Sequence, residues 1–442
     1  MLRVAIIGAG AAGCFCSICI KRNCKDIEVD VFEAGKRPLA KVAVTGGGRC
    51  NLTNSFRDVS NLQQVYPRGD KLMKRALRAF SNEDTMRWFE QEGVALVTQD
   101  DQCVFPVSQD AMQIVNTLMS LMRKEGVRLI TSTRPTVEKA PLVPCASSVT
   151  VPPASAQGSS PALVSDASPR DSFLVNGRPY DNVIIAIGGC PKPSRLDFLK
   201  DFNLDVVAPV PSLFTLNVAG SWHQALMGTV VENVSVMIAG TKFRSTGALL
   251  LTHWGMSGPA ILRLSSYAAR WLNENQYKCH ICINWFGEKK EEEVRQMLLR
   301  MKEEAGQKLV SNEYPRHLVQ RHWLVLLERA GISSTLRWQA MNKKELNRLV
   351  TVLTADSYEV TGKCHFKEEF VTAGGVALSN ININTLEVKQ HPGMYFIGEV
   401  LDVDAVTGGF NLQAAWSMAW VVAQEVAPPL PSKGIAPPLP SP

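Results

Sequence analysis

The chain is 442 residues long, beyond the size at which one hydrophobic core stops growing, so two or three domains are expected. Apolar residues make up 45% and charged residues 20%. No apolar run reaches the roughly 18 residues of a spanning helix, which argues against a membrane protein. The formal net charge of +6 is spread along the chain, not gathered into a block, and the 11 cysteines are odd in number and widely spaced. These features speak against a dedicated nucleic-acid binder and a disulfide framework, and they suit a cytoplasmic protein with reduced thiols.

In chain order, Leu2 to Ile7 reads as a strand, Gly8-Ala9-Gly10-Ala11-Ala12-Gly13 as a tight turn, Ala11 to Arg22 as a helix, and Ile27 to Glu33 as a second strand. That is one βαβ unit, and its N-terminal strand leaves no room for a signal peptide. A lone G-x-G-x-x-G means little, but here it follows a strand, opens a helix, and precedes Glu33 by twenty residues. Gly8 permits the turn, Gly10 lets backbone approach a pyrophosphate, and Gly13 lets helix meet strand, with free N–H groups of Ala11 and Ala12 at the helix start. Glu33 suits ribose hydroxyls and repels a 2′-phosphate, which leaves FAD or NAD at this position.

Next comes a Gly-rich loop, Thr45-Gly46-Gly47-Gly48-Arg49-Cys50-Asn51, whose backbone donors and guanidinium suit a pyrophosphate or a flavin edge. Helices are expected over Lys71 to Glu92 and Asp110 to Glu125, and strands over Val127 to Thr131 and Asn182 to Ala186, the latter ending in Ile187-Gly188-Gly189 near a bound dinucleotide. Pro141 to Arg170 holds six prolines among Ser and Ala and reads as a disordered excursion. Residues 190–361 break the βα rhythm, with strands near Thr229 to Ala239 and Gln276 to Trp285 and helices at Ser257 to Asn273, Glu288 to Glu304, Pro315 to Arg329 and Lys343 to Ala355. Residues 362–426 return to the first domain through Met394 to Glu399 and a helix from Gly409 to about Gln424. That helix aims its N-terminus where a flavin gathers negative charge on reduction, and Glu399 and Asp402 lie where carboxylates accept ribityl hydroxyls. Residues 427–442 repeat Ala-Pro-Pro-Leu-Pro-Ser and read as a polyproline tail.

Several residues invite sharper readings. His253, in a Gly-flanked turn, is the candidate proton shuttle, against the plainer reading of a loop histidine. Cys50 favours packing over redox chemistry, since no resolving thiol accompanies it. Cys14, Cys16, Cys19 and Cys24 lie along the dinucleotide helix, and Cys279 and Cys282 form a C-x-x-C with no second pair, so no metal site is expected.

Taken together, Gly8 to Gly13, Thr45 to Asn54 (TGGGRCNLTN), Thr252 to Pro259 (THWGMSGP), Thr372 to Val376 (TAGGV) and Gly398 to Gln413 resemble the bile-acid-reductase and aminoacetone-oxidase-like family of NAD(P)/FAD-dependent oxidoreductases, the YhiN-like or BaiN-like flavoproteins. The resemblance implies an α/β fold: a Rossmann-type FAD-binding domain split between both chain ends (1–189 and 362–426), with a β-barrel plus helical domain inserted (190–361). It also implies that Glu33, Lys41, Arg49, Asn51, Gly375, Asp402, Asn411 and Leu412 line the FAD. Three departures stand out: Ile187 in place of a Thr, Pro135 in place of a Val, and the enlarged Pro141 to Arg170 segment. The expected activity is hydride transfer between bound flavin and a small-molecule substrate, with NAD(P)H as a transient donor or oxygen as acceptor. No second G-x-G-x-x-G marks a separate nicotinamide domain. The alternatives are a flavin-dependent tRNA-modifying protein, whose nearest basic segment runs from Arg316 to Arg337, and a non-catalytic FAD scaffold. No nucleic-acid partner is expected on the first reading.

Overall fold

A computed structural model describes residues 1–140, 172–190, 192–220, 225–364 and 371–429. The Pro141 to Arg170 segment and all but the first residues of the polyproline tail lie outside them. Among the described residues, no helix is long and apolar enough to cross a membrane.

The first domain is built on a six-stranded sheet in the order Glu387–Val388, His391–Phe396, Asn182–Ile185, Arg3–Ile7, Glu28–Phe32, Arg128–Ile130. All neighbours are parallel except the edge hairpin of Glu387–Val388 with His391–Phe396. Strands from both chain ends thus share one sheet, with Ile184 beside Ile6 on one side and Tyr395 on the other. Parallel strands covered on both faces read as continuous apolar runs, and Val4 to Ile7 and Val183 to Ile185 are buried throughout. The helix Ala11–Asn23 packs against the last helix, Phe410–Val426. Phe15 and Trp416 meet there with ring centroids 5.4 Å apart. The three cysteines on the first helix, Cys14, Cys16 and Cys19, are buried, and burial raises all three thiols.

The inserted unit is a closed six-stranded barrel in the order Leu216–Val218, Gly255–Ser257, Arg244–Leu251, Val230–Ile238, Cys279–Asn284, Asp356–Lys363. Helices Glu291–Glu304, Gln320–Arg329 and Lys343–Ala355 carry a second core around Trp285, Trp323 and Trp338. A two-stranded antiparallel ribbon, Val206–Ser212 with Val371–Val376, leads into and out of the barrel. The Arg316 to Arg337 segment buries His322, Trp323, Leu326 and Leu327.

Two expected helices are divided. Lys71 to Glu92 becomes Asp70–Ala79 and Asn82–Gln91. The break falls at Ser81, whose side chain accepts from Asp84 N while Asp84 reaches back to Ser81 N. That capping box starts a new helix more favourably than the old one could continue. Ser257 to Asn273 becomes Pro259–Tyr267 and Ala269–Glu274, with Ser257 in a barrel strand. Pro259 has no N–H to give and suits only a helix start.

Two arginine–aspartate pairs tie the units together. Arg68 forms a two-pronged ion pair with buried Asp404 and donates to Ser266 O at 3.0 Å, while Ser212 Oγ donates to the same carboxylate at 3.1 Å. Arg270 of the insert holds both oxygens of Asp402 at 2.9 Å.

Candidate active site

At the N-terminal turn the three glycines have different surroundings. A Cβ on Gly8 would lie 2.4 Å from Ala186 O, and one on Gly13 would lie 2.0 Å from Gly8 O, whereas one on Gly10 would meet nothing within 4 Å. Gly10 caps the helix Ala11–Asn23 with no side-chain bond, which leaves the first N–H groups aimed outward with no intrahelical acceptor. Glu33 closes the second strand beside this opening. Its carboxylate accepts from Ala9 N at 3.0 Å and Gly35 N at 2.6 Å. An open approach to uncapped donors and an acidic group at the neighbouring strand end form a donor set that fits the adenosine diphosphate half of FAD.

The second Gly-rich segment is a kink, with Gly46, Gly47 and Gly48 all at positive φ (59°, 68° and 81°). Gly47 and Gly48 face open space. Arg49 lies over the Phe105 ring at 4.5 Å and donates through Nε to Gly46 O at 3.2 Å, and Thr45 O accepts from Cys50 N at 3.0 Å. Cys50 is buried, and burial pushes its thiol up to about 12. It is therefore a packed thiol with no tendency to ionise.

The chain ends meet next to this kink. In the amide orientation that satisfies both atoms, Asn51 accepts from Gly409 N at 3.2 Å and donates to Thr53 O at 3.0 Å. Gly409, at φ 88°, starts the helix Phe410–Val426 with no side-chain cap. A Cβ there would lie 2.3 Å from Thr53 O. That helix start is thus pinned against the Asn51–Asn54 segment, with its N–H groups free for an acceptor.

Other sequence-selected residues act through the surrounding frame. Lys41 Nζ donates to Glu399 at 3.3 Å, and the same carboxylate accepts from Thr372 N at 2.7 Å. Gly375 packs against the Val400 carbonyl, and Gly188, at φ 71°, faces open space. Asn411 spends both amide atoms on Ala405, at 2.9 and 3.0 Å. Leu412 is half-buried against the first domain's core, and Asp402 is held by Arg270.

Between the kink and the barrel lies a cleft of about 1450 Å³. Gly46, Arg49, Asn51 and Gly408 line one wall, and Arg244, Arg263 and Tyr267 line the other. His253 is not among its lining residues. It is exposed, with its ring 4.1 Å from that of Trp254 in an edge-on contact. Sequence reasoning passed over Arg263 and Cys103, which do line the cleft. A lone cation inside Ile261-Leu262-Arg263-Leu264 was the available signal for the first, whereas Cys103 carried none. Burial pushes the Cys103 thiol up to about 11, with the Asn51 amide and the Arg263 charge working the other way.

Comparison with known proteins agrees with this architecture. The family models described as HI0933-like protein Rossmann domain and HI0933-like protein barrel and H2TH domain match residues 2–140 and 210–371. Two relatives called ribosomal RNA dihydrouridine synthase are each 28% identical: that of Escherichia coli (strain K12) over 95% of this chain and 97% of its own, and that of Haemophilus influenzae over 96% and 98%. The 3-dehydro-bile acid delta(4,6)-reductase of Clostridium scindens is 25% identical over 97% of this chain and 99% of its own. With both halves of the architecture matched in order, the chain belongs to the HI0933-like family of flavin-dependent oxidoreductases.

Proposed function

We propose that this protein holds FAD along the line from the Gly8–Gly13 turn to the start of the helix Phe410–Val426, and that it reduces a carbon–carbon double bond conjugated to a carbonyl in the cleft. The observation that carries the reading is the convergence at that cleft. A helix N-terminus without a cap, the Gly46–Asn51 kink and a polar barrel wall face one open cleft large enough for a flavin ring and a substrate together.

In this reading Glu33 and the N–H groups of Ala11 and Ala12 hold the adenosine and pyrophosphate end. Lys41 and Glu399 flank the middle, and Asn51 with the Gly409 helix start holds the ring. When bound, FAD supplies two-electron chemistry, taking a hydride equivalent from a donor such as NAD(P)H and delivering one to carbon. The chain's own residues position the ring, bind the substrate carbonyl and limit water.

Two relatives named for dihydrouridine and one named for a bile-acid enone reductase share one chemistry, since uracil C5=C6 and a steroid Δ4 bond are each conjugated to a carbonyl. The first reading takes a small enone. A second reading, in which the double bond belongs to a uracil in RNA, draws on the two 28% relatives and on exposed Arg316, Arg321, Arg337, Lys343 and Lys344 of the helical module. The same experiment tests both. The yellow protein is reduced anaerobically with NADH or NADPH, then mixed with cyclohex-2-enone or with ribosomal RNA lacking dihydrouridine. Return of the oxidised flavin spectrum with a saturated ketone supports the first reading, and dihydrouridine in the RNA supports the second. A protein that binds no FAD refutes the proposal.

A further inference from the structure

Of the three arginines that line the cleft, Arg49 and Arg244 are exposed and Arg263 is half-buried. Arg263 lies in the helix Pro259–Tyr267 between buried Ile261 and Leu264, is half-buried, and lines the cleft. A guanidinium offers five N–H donors. Among the described residues Arg263 makes one hydrogen bond, from Nη1 to Thr246 O at a long 3.4 Å, and no ion pair. The cleft's carboxylates, Asp58, Asp101, Glu232 and Glu288, are all exposed at its rim. Arg263 shares the lining of the cleft with Asn51 and Cys103. A half-buried guanidinium on the cleft wall has donors to offer an oxygen of a bound substrate.

We propose that Arg263 binds the substrate's carbonyl oxygen and stabilises the negative charge that develops there. This rests on the alkene-reductase reading above. With FAD bound, addition of a hydride equivalent to the β-carbon would shift the π pair through the α-carbon onto the carbonyl oxygen. Arg263 donates hydrogen bonds to that enolate. The α-carbon would then take a proton from solvent, so that the substrate gains hydride and proton, the two electrons being those that reduced FAD would supply when bound. A cation placed where charge appears only in the transition state accelerates the step without tightening ground-state binding equally.

The test uses the FAD-loaded full chain as wild type, Arg263→Gln and Arg263→Lys, with 4-chlorophenol as probe, because its phenolate copies an enolate oxygen on a conjugated ring. Binding is followed across pH by the long-wavelength flavin–phenolate absorbance. The wild type is expected to lower the pKa of the bound phenol. Arg263→Gln should weaken phenolate binding roughly ten- to hundredfold, the value of a charged hydrogen bond, with neutral phenol unaffected. Arg263→Lys should fall between, and its FAD content and folding should match the wild type. On cyclohex-2-enone, kcat should fall more than KM rises. Wild-type phenolate affinity and bound-phenol pKa in Arg263→Gln overturn the proposal and leave the reductase reading standing. A wild type that neither binds phenolate nor reduces the enone overturns both.

Discussion

The most direct test of the cofactor reading is Gly10→Ala. Gly10 has φ −85° and ψ −169°, a region open to any L-residue, and a Cβ there meets no atom within 4 Å. Without FAD the variant should therefore fold at least as well as the wild type, gaining about 0.4–1 kcal/mol from a less flexible unfolded chain. The methyl group nevertheless points into the opening before the uncapped helix, where the proposal places the pyrophosphate. Losing one charge-assisted hydrogen bond there removes about 1.5–3 kcal/mol, or roughly 10- to 150-fold in FAD affinity. At FAD one hundred times the wild-type Kd, ligand stabilisation of about 2.7 kcal/mol would shrink to a few tenths if affinity falls about a hundredfold. Urea unfolding with and without FAD, together with a flavin fluorescence titration, separates the two effects. Gly13→Ala is the contrast: its Cβ would lie 2.0 Å from Gly8 O, so it should damage the fold whether or not FAD is present. A Gly10→Ala protein that binds FAD with wild-type affinity would show that the pyrophosphate does not pass over this turn.

Three further outcomes are expected. His322 is fully buried against Trp285, with neither ring nitrogen hydrogen-bonded among the described residues, and burial, reinforced by His317, pushes it down from 6.5 to about 3. Because the fold opposes its protonation, this contribution is complete above the ordinary histidine pKa and drains as pH falls, by about 2 kcal/mol from pH 7 to pH 5. His322→Leu should remove that part of the acid sensitivity in unfolding curves, and an unchanged slope would contradict it. Arg68→Met strands the buried Asp404 carboxylate and should cost about 3–5 kcal/mol, whereas Arg68→Met with Asp404→Leu should recover most of it. Denaturant midpoints decide the point, and equal losses in both variants would count against an ion pair at this joint. Ser81→Ala removes half of a capping box and should lower stability by about 1 kcal/mol in the same assay.

Much of the first domain was legible because its signals are local. Leu2 to Gly13 contains a strand, a turn and a helix start whose constraints lie within a few residues, and the strands at Asn182 and Met394 are apolar runs that only a covered sheet accepts. The Ser81 break was legible too, in Ser-Asn-Glu-Asp, but the helical periodicity on either side masked it. The barrel was not. Leu216–Val218 pairs with Asp356–Lys363 across more than a hundred residues, and nothing local in either strand names its partner. The same distance hid the cleft. His253 stood out by chemical type in a glycine-flanked turn, yet the side chain that lines the cleft is Arg263, in a helix whose spacing reads as ordinary packing.

The sequence by itself determined the dinucleotide turn, the glycine-rich loop and the motifs that carry the family resemblance, because each depends on backbone freedom or apolar period within a short window. Only the tertiary structure decided which polar groups remain unsatisfied. Asp402 and Asn411, chosen as flavin contacts, are bonded to Arg270 and Ala405, whereas Arg263 makes one long bond. Whether a side chain is spent or free depends on every neighbour that long-range folding brings to it, so the chemistry of the cleft is a property of packing rather than of any one motif.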